Sequence, residues 1–210
     1  MRSADATTLF RVLLAIIAAF LIVYRFNPFL IAALIAIAML LDAVDGFLAV
    51  REASSGMITF GIYLDSALGR GTATARVAAV KKTLKKKAKF GARMDVAGDR
   101  AVEYILWITY AYVGIVPLII VFLVVIRHSF VDALMAAKGT SSKMKTRFAK
   151  VVYSSNAGRG LINVVKFLAF AYLAFVYVSN YPIAIGYVLV GILFAYIMLR
   201  GAAEAYEILT

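Results

Sequence analysis

Cysteine is absent from this 210-residue chain, and histidine occurs once, as His128. The first absence excludes disulfides, thiolate metal centres and cysteine nucleophiles. The second leaves no material for a histidine metal cage and argues against a histidine-dependent triad. Acidic residues are scarce, at 11 against 23 Lys and Arg, for a formal net charge of +12. Proline occurs three times, at Pro28, Pro117 and Pro182, each at the start of an apolar stretch. What the chain does have is apolar residues. They make up 64% of it, and its mean hydropathy is +0.91. A soluble domain is about half apolar, so the excess calls for a solvent other than water. In a soluble protein the basic charge would point to nucleic acid. In a membrane protein it reports topology and anionic headgroups, and no nucleic-acid partner is expected.

Six apolar stretches stand out, at Leu9–Tyr24, Pro28–Val50, Ala101–Val116, Leu118–Phe130, Leu161–Val178 and Ile183–Leu199. Several are near the short end of the roughly 17–25 residues that cross hydrocarbon. The expected fold is all-α, a polytopic membrane protein with six transmembrane helices. It forms one membrane domain over residues 1–210, with a basic insertion at about 52–90. Asn27-Pro28 reads as a helix start, Asn as cap and Pro at the first helical position. Arg2 and Arg11 precede the first apolar run as they would in a signal peptide, but no small-residue cleavage site follows.

Orientation follows from Lys and Arg. With six spans both termini share one side, along with residues 51–100 and 131–160. That side collects Lys81, Lys82, Lys85, Lys86, Lys87 and Lys89, whereas the other side has Arg25. The termini and both long loops are therefore expected at the cytoplasmic face of the cell membrane. Residues 66–90 mix Arg70, Arg76 and six lysines with Leu68, Val77, Val80 and Leu84. They read as a basic helix lying on the membrane surface against anionic lipid, or as one that binds an anionic substrate or partner. Lys138, Lys143, Lys145, Arg147 and Lys150 read as a solvated basic loop.

Acidic residues in apolar helices are costly and point to function. Asp42 and Asp45 follow a fourteen-residue apolar run, and their i, i+3 spacing puts both on one helix face. Asp95 and Asp99, at i, i+4, open the third stretch on one face, with Gly91 one turn earlier. Gly46 follows Asp45, where a missing side chain would let a ligand approach the backbone. Carboxylates gathered at one membrane face repel one another unless something positive sits among them. A hard divalent cation, Mg²⁺ or Mn²⁺, is the simplest answer, because it takes oxygen ligands and bridges to phosphate. The plainer alternative is interface carboxylates paired with Arg51, Arg93 or Arg100.

Asp42-x-x-Asp45-Gly46-x-x-Ala49, then Arg51, and later Gly91-x-x-x-Asp95-x-x-x-Asp99, resemble the signature of the CDP-alcohol phosphotransferases. The motif covers residues 42–99, and the rest of the chain matches only in its span pattern. The family's Arg directly follows its Ala, whereas here Val50 intervenes before Arg51. The family also joins its half-motifs by a short loop. A nearer copy, Phe60-Gly61-x-x-x-Asp65-x-x-x-Gly69-Arg70, echoes Phe90-Gly91-x-x-x-Asp95-x-x-x-Asp99-Arg100 but has Gly69 where the last aspartate belongs. The far copy keeps all three motif residues and is the expected site.

The resemblance implies a phospholipid-synthesis enzyme that moves the phospholipid moiety of a CDP-linked lipid to an alcohol and releases CMP. Asp42, Asp45 and Asp95 would hold metal. Asp99 would be the general base and would also reach a metal. Gly46, Ala49 and Gly91 would leave room for cytidine and phosphates, and Arg51 would contact phosphate. The resemblance further implies a homodimer among membrane lipids. For the acceptor, Arg127, Arg159 and Lys166 lie near cytoplasmic span ends, with Arg159, Asn163 and Lys166 on one helix face. They read either as snorkelling cations or as a pocket for a phosphorylated polyol such as glycerol phosphate or inositol phosphate. The alternative from another class is a transporter or ion-coupled protein that uses the aspartates. It predicts charges near the bilayer middle, whereas these acids lie at one face.

Overall fold

The computed structural model describes residues 3–67, 71–87, 91–138 and 156–209. All regular structure among them is helical: α1 (Ser3–Val23), α2 (Pro28–Ala53), α3 (Phe60–Ala67), α4 (Gly71–Lys87), α5 (Gly91–Tyr112), α6 (Leu118–Lys138), α7 (Asn156–Ser179) and α8 (Ile183–Leu209). The all-α expectation holds. The physical reason is that a backbone without water satisfies its own N–H and C=O groups within each helix.

Four helical segments are long and apolar enough to cross a membrane: Asp5–Val23, Pro28–Ala53, Ile162–Ser179 and Ile183–Glu207. At 1.5 Å per residue they span about 27–39 Å, against a hydrocarbon core of about 30 Å. These are the helices of a membrane protein. They also leave large side chains exposed, among them Phe10, Leu13 and Phe20 on α1 and Phe29 and Leu40 on α2. Apolar surface of that extent is what a lipid-facing helix presents. The other two expected spans coincide with parts of α5 and α6. Helix α5 carries Arg93, Asp95, Asp99, Arg100 and Glu103 between its start and Glu103, so its apolar run is short.

The helix ends follow the chain chemistry. Asn27 Oδ1 accepts from the Phe29 N–H at 2.9 Å and from the Leu30 N–H at 3.3 Å, so it caps α2 as expected. Pro117 and Pro182 immediately precede α6 and α8. Helix α1 closes with Arg25 at φ 52°, the Arg25 N–H on Ile22 O and the Phe26 N–H on Leu21 O. Helix α5 closes the same way around Gly114, at φ 78°. This double bond satisfies the last carbonyls, and its left-handed residue is normally Gly.

The chain divides into two compact units, Met1–Ile17 with Ala36–Glu103, and Ala18–Ile35 with Tyr104–Thr210. In the first, α3 packs on α4. Of the basic stretch at residues 66–90, Gly71–Lys87 forms a single helix, α4. Val77 is buried with Val50 and Ile58, and Ile62, Tyr63 and Val80 pack against them. Val77 and Val80 of the basic stretch thus pack on protein.

In the second unit, Trp107 meets Phe170 edge-on at 5.2 Å, and Tyr110 donates to Phe170 O at 2.5 Å. Arg25 lies over the Tyr177 ring, and Tyr181 packs near Tyr172 and Phe175. Aromatic and cationic side chains of this kind gather where a membrane meets water. The basic loop expected at Lys143, Lys145, Arg147 and Lys150 lies outside the described residues, as does the side chain of Lys138.

Candidate metal centre

The first unit brings three helices to one cluster of charge. Asp42 projects from α2, Asp95 and Asp99 from α5, and Arg11 from α1. Oxygens of the three carboxylates lie within 4.8 Å of one another. Asp45 stands on α2 one turn beyond Asp42, with its side chain outside the described residues.

The cation that occupies the cluster in this structure is Arg11. Its Nη1 donates to Asp42 Oδ1, and its Nη2 donates to Asp99 Oδ1 at 2.5 Å and to the Asp95 carbonyl at 3.2 Å. The Asp95 carboxylate lies 3.9 Å from Nη2. Arg11 is only 2% exposed, whereas Asp42, Asp95 and Asp99 are 29%, 52% and 43% exposed. The guanidinium therefore lies beneath the carboxylates, and they face outward.

Gly98 makes this seat possible. A Cβ there would collide with Thr8 Cγ2 and sit 3.2 Å from Arg11 Nη2. Asp95, Gly98 and Asp99 share the face of α5 turned to α1.

Among the interface partners expected for the aspartates, Arg100 turns to Glu103 at 3.4 Å and Arg51 is exposed at the last turn of α2. The side chain of Arg93 lies outside the described residues. Sequence reasoning missed Arg11 by treating it as the flank of an apolar run. The available signal was an ionisable residue inside that run, which needs a partner.

Asp95 precedes the apolar part of α5. Its carboxyl is pushed from the ordinary 3.8 up to about 6, first by loss of solvation, then by the Asp99 charge, with Arg11 pulling the other way. A proton on Asp95 relieves part of the repulsion in the cluster.

The other expected site residues fall in several places. Gly46 faces Tyr63, whose phenol oxygen would lie 2.8 Å from a Cβ at position 46. The room expected there for a ligand is thus taken by a side chain of α3. Ala49 is half-buried on α2, and Gly91 is the first residue of α5, its surroundings outside the described residues.

In the nearer copy, Phe60 packs on Phe47 at 5.3 Å and Asp65 is half-buried. Gly69 and Arg70 lie outside the described residues. Among the described residues, the group of acids that could hold a metal contains Asp42, Asp95 and Asp99 and not Asp65.

Arg127 belongs to the second unit and is buried there. Its Nη2 pairs with Glu204 Oε2 at 2.5 Å, and its Nη1 lies 2.7 Å from His128 Nδ1. Arginine only donates, so Nδ1 of this imidazole accepts. Lys166 is half-buried on α7, and the side chain of Arg159 lies outside the described residues. Comparison of the chain with protein-family models, curated proteins and solved structures finds no match.

Proposed function

We propose that the chain is a membrane-embedded, divalent-metal-dependent transferase of the CDP-alcohol phosphotransferase type. It would move the phospholipid moiety of a CDP-linked lipid to a small polar alcohol and release CMP. The observation that carries this reading is the meeting of Asp42 with Asp95 and Asp99, from two helices, within 4.8 Å. They stand in the order of the family signature, and their oxygen donors and spacing suit a small hard cation.

In this reading Asp42, Asp45 and Asp95 would hold the metal, and Asp99 would take the proton of the acceptor hydroxyl. The hydroxyl oxygen bonds to the lipid-bearing phosphorus, the diphosphate P–O bond breaks, and CMP leaves with the electron pair. The chemistry that Mg²⁺ or Mn²⁺ held by these carboxylates would supply is neutralisation of phosphate charge. The finer topology belongs to the same proposal: six spans, with α5 and α6 supplying the remaining two, and with termini and site at the cytoplasmic face. Nucleotide and alcohol then arrive from water while the lipid tails stay in the bilayer. The favoured acceptor is a phosphorylated polyol. Arg127 is engaged by Glu204, and Arg159 and Lys166 are the other cations proposed to meet its phosphate.

The test is CMP release by purified protein in nanodiscs, with CDP-diacylglycerol or CDP-archaeol and a panel of alcohols. Release with one acceptor in Mg²⁺, lost in excess chelator, is the expected result. Release undiminished by chelator, or none with any donor and acceptor, defeats the reading.

A further inference from the structure

Arg11 is a charged residue inside an apolar helix, and such a residue is retained at a cost unless it is paired. Here its two terminal nitrogens reach carboxylates on two different helices, Asp42 on α2 and Asp99 on α5, and one of them also reaches a backbone carbonyl. A planar fork does this with two separate nitrogens, whereas lysine has one donor nitrogen and cannot place it at both positions. The guanidinium is buried, and Gly98 brings the α5 backbone close to both it and the buried Thr8. Above the guanidinium the carboxylates are open. Three carboxylates less one guanidinium leave two negative charges among the described side chains, which one divalent cation neutralises.

We infer that Arg11 is a positioning residue of this centre. It clamps Asp42 and Asp99 from the buried side and presents the solvent side of the three carboxylates to a divalent cation. The inference rests on the metal-dependent reading above and adds to it a residue outside the motif. Outer partners of this kind orient the ligands, and their loss typically lowers metal affinity about 10–100-fold.

Two other roles predict different results. If Arg11 stands where the metal would, its removal strengthens metal binding. If it only pins α1 to its neighbours, its removal lowers the melting temperature and leaves affinity unchanged. Electrostatics alone also favours stronger cation binding once a positive charge is removed, so weaker binding is diagnostic of positioning.

The experiment is Mn²⁺ binding to the full-length protein in detergent, followed by the EPR signal of free Mn²⁺, alongside thermal unfolding. Arg11→Gln is expected to bind Mn²⁺ about 10–100-fold more weakly than the unaltered protein. Arg11→Lys is expected to recover little of that loss. Gly98→Ala, which collides with Thr8 and crowds the guanidinium while leaving every carboxylate in the sequence, is expected to weaken binding too. Should Arg11→Gln fail to fold, Arg11→Lys and Gly98→Ala carry the same comparison. Equal or tighter Mn²⁺ binding in the folded variants overturns the inference and leaves the metal-dependent reading standing. No Mn²⁺ binding by the unaltered protein overturns both.

Discussion

Arg127 Nη2 lies 2.5 Å from Glu204 Oε2, an ion pair with both side chains buried that joins α6 to α8. Gly201, on α8, lets the arginine lie against the helix, since a Cβ there would come 2.6 Å from Arg127 Nε. Breaking one side of a buried pair leaves an uncompensated charge and costs about 3–5 kcal/mol, whereas replacing both sides by apolar groups is often neutral. Glu204→Gln should therefore lower stability by about that amount in denaturant unfolding of the detergent-solubilised protein. Arg127→Met with Glu204→Leu should recover only part of the loss, because Arg200, 3.5 Å from Glu204, and Asp132, 4.0 Å from Arg127, lose a partner as well. A Glu204→Gln variant as stable as the unaltered protein would show that the pair does not hold these helices.

The two Gly-x-x-x-Asp copies differ in what they can supply. Asp99→Asn keeps shape but removes the general base of the proposed reaction, so CMP release should fall about 10²–10⁴-fold. Asp65→Asn should matter far less, because Gly69 stands where that copy would need its base. If Asp65→Asn is dead and Asp99→Asn turns over normally, the catalytic half-motif is the nearer one.

The pH dependence of metal binding follows from Asp95. Its carboxyl titrates at about 6 in the metal-free protein, and a proton there must leave before the oxygen can bind a cation. Mn²⁺ affinity should therefore be level well above this value and weaken as pH falls through it. The sign for stability is opposite. A raised carboxyl contributes stability below its unfolded value near 3.8, and this is lost as pH rises through about 6. In Asp95→Asn the step in metal binding near pH 6 should vanish. The same step persisting in that variant would assign the titration to another group.

The chain has no cysteine of its own, so introduced ones report topology cleanly. Ala78, exposed on α4, and Tyr181, exposed before α8, are expected on opposite sides of the membrane. Ala78→Cys should label in inside-out vesicles and Tyr181→Cys in right-side-out vesicles, using an impermeant maleimide. Labelling of both from one side would contradict six spans.

Much of this architecture was legible along the chain. Runs of apolar residues announce helices, because the backbone must bond within itself wherever water is absent. Asn27-Pro28, Pro117 and Pro182 announce where helices begin, because a cap needs a side-chain oxygen and proline tolerates the first turn. Spacing along one helix likewise puts Asp95 and Asp99 on a common face, since i and i+4 are neighbours by helical geometry alone. What spacing could not say is which cation stands among the aspartates. Arg11 is 88 residues from Asp99, and only the packing of α1 against Gly98 brings the two together. The same holds for Tyr63 against Gly46 and for Glu204 against Arg127, 77 residues away. Local geometry orients side chains on a single helix. Pairings between helices depend on which small residues let backbones approach, and that is decided only when the helices pack.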